Sequence, residues 1–523
     1  MIQGNGLRDA YSATLARIKT QKGSKSRLGM EVLMWLSHSE RPLRADELCH
    51  ALGVEIGPTD LNSQNIPAIE TLLGCSLGLV TVEASLYTVR LVHYTLQEYL
   101  SNNTDIFHSP HSMIVEVCLT YLNFRSVRDL PPILDRSPSP TSLLEYASCY
   151  WGTHARREIT ESANALALRV LDGFDKHVSS WILLSHSLDN YDRKLCRSSS
   201  TGFTGLHGTA YLGIVETAVA LLEMKKWDLN ATDVAGNTAI SWAARKGHGA
   251  VVKMLLERED VTPDTAGKGD RTPLLWVVKF GHEDVVKMLL EREDVTPDTA
   301  DNDGRTPLSW AARRGHKGIV KALLEWGSVT PDTADKGGRT PLLWAAVFGN
   351  GGVVDMLLER EDVTPDTVDK DGRTPLSWAA GNGHWNIVVG LLGREGVAPN
   401  TTDKNCRTPL SWAAIGGHEG LVRMLLKQKG VTPDTADKGG RTPLSWARIC
   451  GHFGVVGRLL LWRGVDRTAL AQTPAKRHRG ALKRRSGNQG SVPQSAGSHS
   501  SIDLSPAELP ESSQRPLKKV RRF

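Results

Sequence analysis

The chain has 523 residues, enough for more than one domain; it has no apolar run near the roughly 18 residues of a membrane span and no signal-peptide core at its start. Its seven cysteines are scattered with no CxxC pair, which fits a reducing compartment, cytoplasmic or nuclear, and argues against a zinc framework. The net charge of +6 is unevenly held: residues 467–523 carry 12 Lys/Arg against 3 Asp/Glu, so the body is near neutral and only the tail is basic.

In chain order, residues 1–28 read as a helical lead-in. Residues 29–102 then give helices near Met30–Ser37, Ala45–Leu52 and Pro67–Gly74, strands at Gly78–Glu83 and Leu86–His93, and a helix through Thr95–Leu100. That order predicts a winged helix-turn-helix. Charge opposes DNA binding: residues 45–102 hold seven acids (Asp46, Glu47, Glu55, Asp60, Glu70, Glu83, Glu98) against one base, Arg90. Such a surface repels phosphate instead of releasing counterions. Gly74-Cys75-Ser76-Leu77-Gly78 fits G-x-S-x-G, yet the hydrolase elbow needs a strand before the serine and a helix after it. Here the predicted order is reversed, so no catalytic residue is assigned and the chain reads as a non-enzyme. A helical bridge follows over 103–197.

From residue 198 the chain repeats. Threonine recurs at 204, 238, 272, 306, 340, 374, 408 and 442, always 34 residues apart, and a well-kept unit reads RTPLSWAARRGHKGIVKALLEWGSVTPDTADKGG from Arg305. Thr272 is placed to N-cap a first helix, Pro273 fits its first position, and Gly315 ends it in a left-handed turn. Val251, Met254 and Leu255 fall at i, i+3, i+4 of a second helix and should face the core. Asp335 to Gly338 form the turn at the tip. The unit resembles the ankyrin repeat, with one extra residue in the VTPDTAD connection and Ser or Leu mostly replacing the usual histidine of TPLH. Eight such repeats are expected over 198–465. One unit cannot bury its apolar face alone; stacking makes the core continuous.

A wider resemblance joins these parts. RLGMEVLMWLSHSERPLRADELCHALGVE with LVTVEASLYTVRLVHYTLQEYL resembles the winged-helix segment named after GPI inositol-deacylase. LLEYASCYWGTHARRE and GFTGLHGTAYLGIVETAVALLE resemble the bridge of fungal NLR-like proteins, in which that segment sits between a NACHT nucleotide-binding domain and an ankyrin array. The resemblance implies a mainly α fold, a winged-helix and helical N-terminal module before a solenoid, and a sensor in which repeats recognise a partner. No G-x-x-x-x-G-K-[ST] occurs, so nucleotide switching has no support and no cofactor is expected. The chain reads as the back half of such a protein, either a short paralogue or a fragment without function of its own.

Two rows inside the array invite sharper readings. Histidines at 248, 282, 316, 384, 418 and 452 could suggest a metal ladder, but a repeat step of roughly 8–10 Å is too wide for ligands about 2.1 Å from one ion. Tryptophans at 242, 276, 310, 344, 378, 412 and 446 could stack bases, yet the array is not basic and their fixed place favours contacts between repeats. By resemblance to ankyrin proteins, partners lie on the concave face, built from the hairpin tips and the exposed end of each first helix, just before the turn glycine. Those positions read Arg245-Lys246, Lys279-Phe280, Arg313-Arg314, Val347-Phe348, Gly381-Asn382, Ile415-Gly416 and Ile449-Cys450. The series runs from cationic and aromatic to apolar or small, which suits a protein partner that is acidic with an apolar patch.

From residue 466 to 523 the sequence is low-complexity and is expected to be disordered. Two basic clusters stand out, Lys476, Arg477, Arg479, Lys483, Arg484 and Arg485, then Lys518, Lys519, Arg521 and Arg522. They suit an import receptor, and through it a nuclear regulator brought to chromatin; nonspecific nucleic-acid contact is the other reading. A fluorescent fusion of residues 467–523 should accumulate in nuclei, and alanine at Lys476, Arg477, Lys483, Arg484 and Arg485 should abolish this. An unchanged distribution on imaging would reduce the tail to a solubilising role.

Overall fold

The computed structural model describes residues 3–131, 142–187, 201–224 and 226–462. The basic clusters from Lys476 to Arg522 lie outside them.

The N-terminal part is built from α1 (Gln3–Lys19), α2 (Lys25–His38), β1 (Leu43–Arg44), α3 (Ala45–Gly53), α4 (Ile69–Cys75), β2 (Val80–Glu83), β3 (Thr88–Leu91) and α5 (Tyr94–Asn102). The strands form an antiparallel sheet in the order β1-β3-β2, with Leu43 opposite Val89 and Val82 opposite Val89 from the other side. β3 begins two residues later than the alternation of Leu86–His93 suggests. Leu86 and Tyr87 are spent on the turn, Tyr87 in the left-handed region at φ 52°, and both are exposed. Helix α2 buries Val32, Leu33 and Trp35 and carries the centre of this core.

The bridge follows as α6 (Pro110–Asn123), α7 (Arg125–Arg128), α8 (Leu144–Ala155), α9 (Glu161–Leu171) and α10 (Val178–Ser187), with α6 laid against α8, α9 and α2. One buried ion pair pins the modules together. Glu47, fully buried, accepts both Arg41 guanidinium nitrogens at 2.7 and 2.8 Å and the Arg44 amide at 2.8 Å. The same Arg41 lies 5.4 Å from the Tyr146 ring and 5.7 Å from the Tyr150 ring on α8. Bidentate geometry and ring stacking are what make arginine suit such a joint.

Eight helix pairs follow, from Gly205–Leu212 with Val215–Glu223 to Pro443–Ile449 with Phe453–Trp462. The threonines cap as their chemistry requires: Thr272 Oγ1 accepts the Leu275 amide at 3.3 Å, and Thr306 accepts that of Ser309 at 3.2 Å. Thr204 differs, since the one retained TPLH-type histidine, His207, brings its Nδ1 to 2.8 Å from the Thr204 hydroxyl. On the second helix the core stripe is Val251, Val252 and Leu255. Met254 is only half-buried, because i+3 rotates past the edge of the narrow stripe that two neighbouring repeats enclose.

Three joints tie each repeat to the next. At the tips, the Lys336 amide donates to the Asp303 carbonyl at 2.8 Å, and the Lys370 amide to Gly337 at 2.8 Å. In the VTPDT connection, Asp298 and Asp332 accept the amides of Thr330 and Thr364 at 2.8 and 2.7 Å. At the turn between helices the recurrent histidine reaches back. Nε2–H of His248 donates to the Tyr211 carbonyl at 3.0 Å, His384 to Val347 at 3.1 Å, and His452 to Ile415 at 2.9 Å. This satisfies a carbonyl left orphaned at a helix C-terminus. Repeat five has Asn350 instead, whose Nδ2 donates to Ala312 and Arg313 at 2.7 and 3.0 Å. The turn glycine is needed twice over. Gly281 sits at φ 84°, and a Cβ there would come within 2.6 Å of the His316 ring.

Candidate partner-binding face

The tryptophans lie in the first helices, beneath the helix-end side chains. Six of the seven recur nine residues after a tip aspartate, and in five the indole Nε1–H donates to that carboxylate: Trp242 to Asp233 at 2.8 Å, Trp310 to Asp301 at 3.0 Å, Trp344 to Asp335 at 3.1 Å, Trp378 to Asp369 at 2.9 Å and Trp446 to Asp437 at 2.9 Å. The other aspartate oxygen accepts two backbone amides of the tip, as Asp335 does from Gly337 and Arg339 at 2.8 and 2.9 Å. Burial would raise the Asp437 carboxyl, but the Arg441 amide, the Trp446 indole and the Gly439 amide together hold it below the usual range. Repeat three has Gly267 where the aspartate belongs, and the Trp276 Nε1 is buried without an acceptor. The tryptophans thus buckle the tip to the first helix.

Cations cover the rings. The arginine before each Thr-Pro lies over its own tryptophan, at 5.1 Å for Arg271 and Trp276, 4.7 Å for Arg305 and Trp310, and 4.8 Å for Arg339 and Trp344. The helix-end cations lie on the next repeat as well. Arg245 is 4.3 Å from the Trp276 ring and 5.7 Å from Phe280; Lys279 is 5.2 Å from Trp310; Arg313 is 5.1 Å from each of Trp310, Trp344 and Phe348. Lys246 caps Tyr211 of the preceding repeat at 4.2 Å, and Arg314 lies 5.9 Å from Trp310. Phe280 and Phe348 stack on Trp276 and Trp344 yet remain 45% and 43% exposed. Repeats two to five therefore present one continuous cationic and aromatic strip.

The strip ends there. Asn382 turns its Nδ2 onto the Val347 carbonyl at 2.9 Å, and Ile415 is half-buried. Gly416 is held small, since a Cβ would strike the Gly381 carbonyl at 2.4 Å. Ile449 is 61% exposed and Cys450 is exposed on the last repeat, away from the strip. The structure thus brings Arg245, Lys246, Lys279, Phe280, Arg313, Arg314 and Phe348 together, with Val347 half-buried beside them. Sequence reasoning missed the tip arginines and the aspartate–tryptophan bond. Their signal was the shared 34-residue period of Asp, Arg and Trp.

Eight helix pairs in series, with tip, first helix and turn joined in this way in five of them, decide the family, and residues 173–265, 259–334, 327–403 and 386–469 match the ankyrin repeats. The chain belongs to the ankyrin-repeat family. Ahead of its ankyrin array, residues 15–109 match the GPI inositol-deacylase winged helix domain. In that domain Ser76 is buried, and its hydroxyl donates to the Leu72 carbonyl at 2.7 Å, between helix α4 and strand β2. Arg90 pairs with Glu83 at 2.8 Å across β2 and β3, so the one base of this segment is already engaged. No group of three or more His, Cys, Asp or Glu among the described residues is placed to hold a metal, and no helix among them is long and apolar enough to cross a membrane.

Proposed function

We propose that this chain is a recognition scaffold whose concave strip, from Arg245 to Phe348, takes an acidic segment of a partner protein that also offers an apolar or aromatic side chain. The supporting observation is the run of Arg245, Lys279 and Arg313, each laid across aromatic rings of the following repeat beside half-exposed Phe280 and Phe348. Such rings and guanidinium groups are the usual anchors of protein interfaces. The winged-helix domain ahead of the array further supports placing the chain in an NLR-like recognition or signalling system.

Peptide display on the full chain tests this reading. Selected peptides should be rich in Asp and Glu with at least one aromatic residue, and should bind more weakly at high salt. Alanine at Arg313, Arg314, Phe280 or Phe348 should each cost up to about 2 kcal/mol of binding where it is an anchor, with the helical signal at the assay temperature retained. If only Lys253→Ala or Arg258→Ala on the second helix and its end weakens binding, the concave assignment is wrong.

A further inference from the structure

Repeat seven has both halves of the aspartate–tryptophan bond and does not make it. Trp412 Nε1 and Asp403 Oδ2 are both buried, and neither has a hydrogen bond among the described residues. The aspartate stands in its ordinary place. Its Oδ1 accepts the Asn405 and Arg407 amides at 2.8 Å, and its Oδ2 lies 3.2 Å from Arg407 Nε, as Asp301 Oδ2 lies 3.3 Å from Arg305 Nε in repeat four. The tip keeps the pattern, and the indole departs from it.

The first helix of the preceding repeat accounts for the departure. The residue 31 positions before each tied tryptophan carries a side chain: Tyr211, Lys279, Arg313, Val347 and Ile415. Tyr211 lies 5.5 Å from the Trp242 ring, Lys279 5.2 Å from Trp310 and Arg313 5.1 Å from Trp344. At the same distance before Trp412 stands Gly381. A Cβ on Gly381 would lie 3.5 and 3.7 Å from Trp412 Cβ and Cε3, so the missing side chain belongs directly against this ring. With that place empty, the tip arginine of repeat six leans across. Arg373 is 4.2 Å from the Trp412 ring and 4.6 Å from its own Trp378, whereas Arg407 keeps to its own Trp412 at 4.4 Å and lies 6.0 Å from Trp446. The backbone does not ask for glycine here, since Gly381 lies within the helix Pro375–Asn382 and outside the left-handed region.

We propose that Trp412 is an open latch between repeats six and seven, and that a side chain in the place above Gly381 closes it onto Asp403. Each arrangement has what the other lacks. Open, the ring holds the Arg373 cation. Closed, a buried donor and a buried acceptor lose the desolvation penalty they now carry. The latch makes this junction the adjustable joint of the array. Val347 and Ile415, in the same place one repeat before and one after, show that an aliphatic chain is enough to keep the bond.

Nuclear magnetic resonance of the full chain with ¹⁵N-labelled tryptophan tests this, the Trp412 signal being assigned through Trp412→Phe. An indole proton given to a carboxylate is deshielded, so the Trp412 proton should lie upfield of the tied indoles. Gly381→Val should move it downfield to join them. That variant copies repeat five, so the fold already accepts it. Amide exchange across residues 403–407 should slow by about tenfold in Gly381→Val relative to Gly381→Ala. Alanine is the better helix former, so helix preference alone gives the opposite order. A Trp412 proton already among the tied signals in the unchanged chain, or unmoved in Gly381→Val, overturns the latch. Cys406 supplies the rival cause, at φ 62° where the tips of repeats six and eight have Gly372 and Gly440 at 79° and 73°. If Cys406→Gly alone brings the proton downfield, strain in the tip holds the indole away and the role of Gly381 is refuted.

Discussion

Acidification from pH 7 to pH 5 should lower the stability of the folded body by several kcal/mol, up to about 6, as read by denaturant titrations of the helical signal. Burial is the leading cause that depresses His154 to about 3, His177 to about 4 and His248 to about 4. It also lowers His38, His111, His282 and His316. A histidine whose folded pKa is depressed contributes stability that is intact above its unfolded value, near 6.5. That stability is lost as the pH falls towards the folded value, because only the unfolded chain takes up the proton. The window here runs from about 6.5 down to about 4 for His177 and His248 and about 3 for His154. At pH 5 each of the three most depressed histidines accounts for about 2 kcal/mol at most, and together they rival the whole stability of a typical domain.

These histidines occupy joints, which makes the loss cooperative. His38, His111 and His154 form a row of rings 5.4 and 5.1 Å apart between the end of α2, the start of α6 and α8. Nδ1 of His111 lies 2.9 Å from Nδ1 of His154, whose Nε2 meets the Tyr146 hydroxyl at 3.0 Å. A proton added to His154 meets His111, Arg157 and His38, all of which oppose it. In the array the chain supplies its own control. Asn350 makes the histidine's bond without a titratable group, so His248→Asn should keep stability at pH 7 and recover up to about 2 kcal/mol at pH 5. An unchanged acid limb in that variant would remove the joint histidines as its cause.

Asp301→Ala should destabilise repeat four by about 3–5 kcal/mol, read as lost hydrogen-exchange protection across residues 301–330. The carboxylate is fully buried. Its removal orphans the Trp310 indole and the Asp303 and Arg305 amides, and takes away an Arg305 ion pair at 3.3 Å. Asp403→Ala should cost less, by about 1 kcal/mol or more. Asp403 accepts the same two tip amides, from Asn405 and Arg407 at 2.8 Å, but Trp412 has no bond to lose. Equal effects would mean that the indole bond contributes nothing.

The cap, the proline start and the glycine stop of each repeat were legible because each is a local demand of the backbone on one residue type. Thr306, Pro307 and Gly315 could be read without knowing what lay beside them. The period gave the stack, and the stack kept the histidines from sharing a metal. What stayed hidden depends on neighbours distant in sequence. β1 is two residues, Leu43 and Arg44, too short to show alternation, and it exists only because β3 presents an edge to it. Arg245 reads as a free surface cation until stacking brings Trp276 beneath it.

The backward reach of the turn side chains gives the array a direction. Repeat two clasps repeat one, and so on to repeat eight, whose own turn glycine, Gly451, has nothing from the described residues near it. The other end is moored: Arg156 of the bridge donates to the Leu212 carbonyl of repeat one, and Thr217 donates to Asn164 at 2.7 Å. Under load, or in a protease digest, such a chain should open like a zip with one end sewn shut. Repeat eight would peel first, and each release would expose on the repeat behind it the carbonyl that had held the released tooth. The cationic and aromatic strip, carried on repeats two to five, sits towards the sewn end, where it would keep its shape while the far repeats come and go.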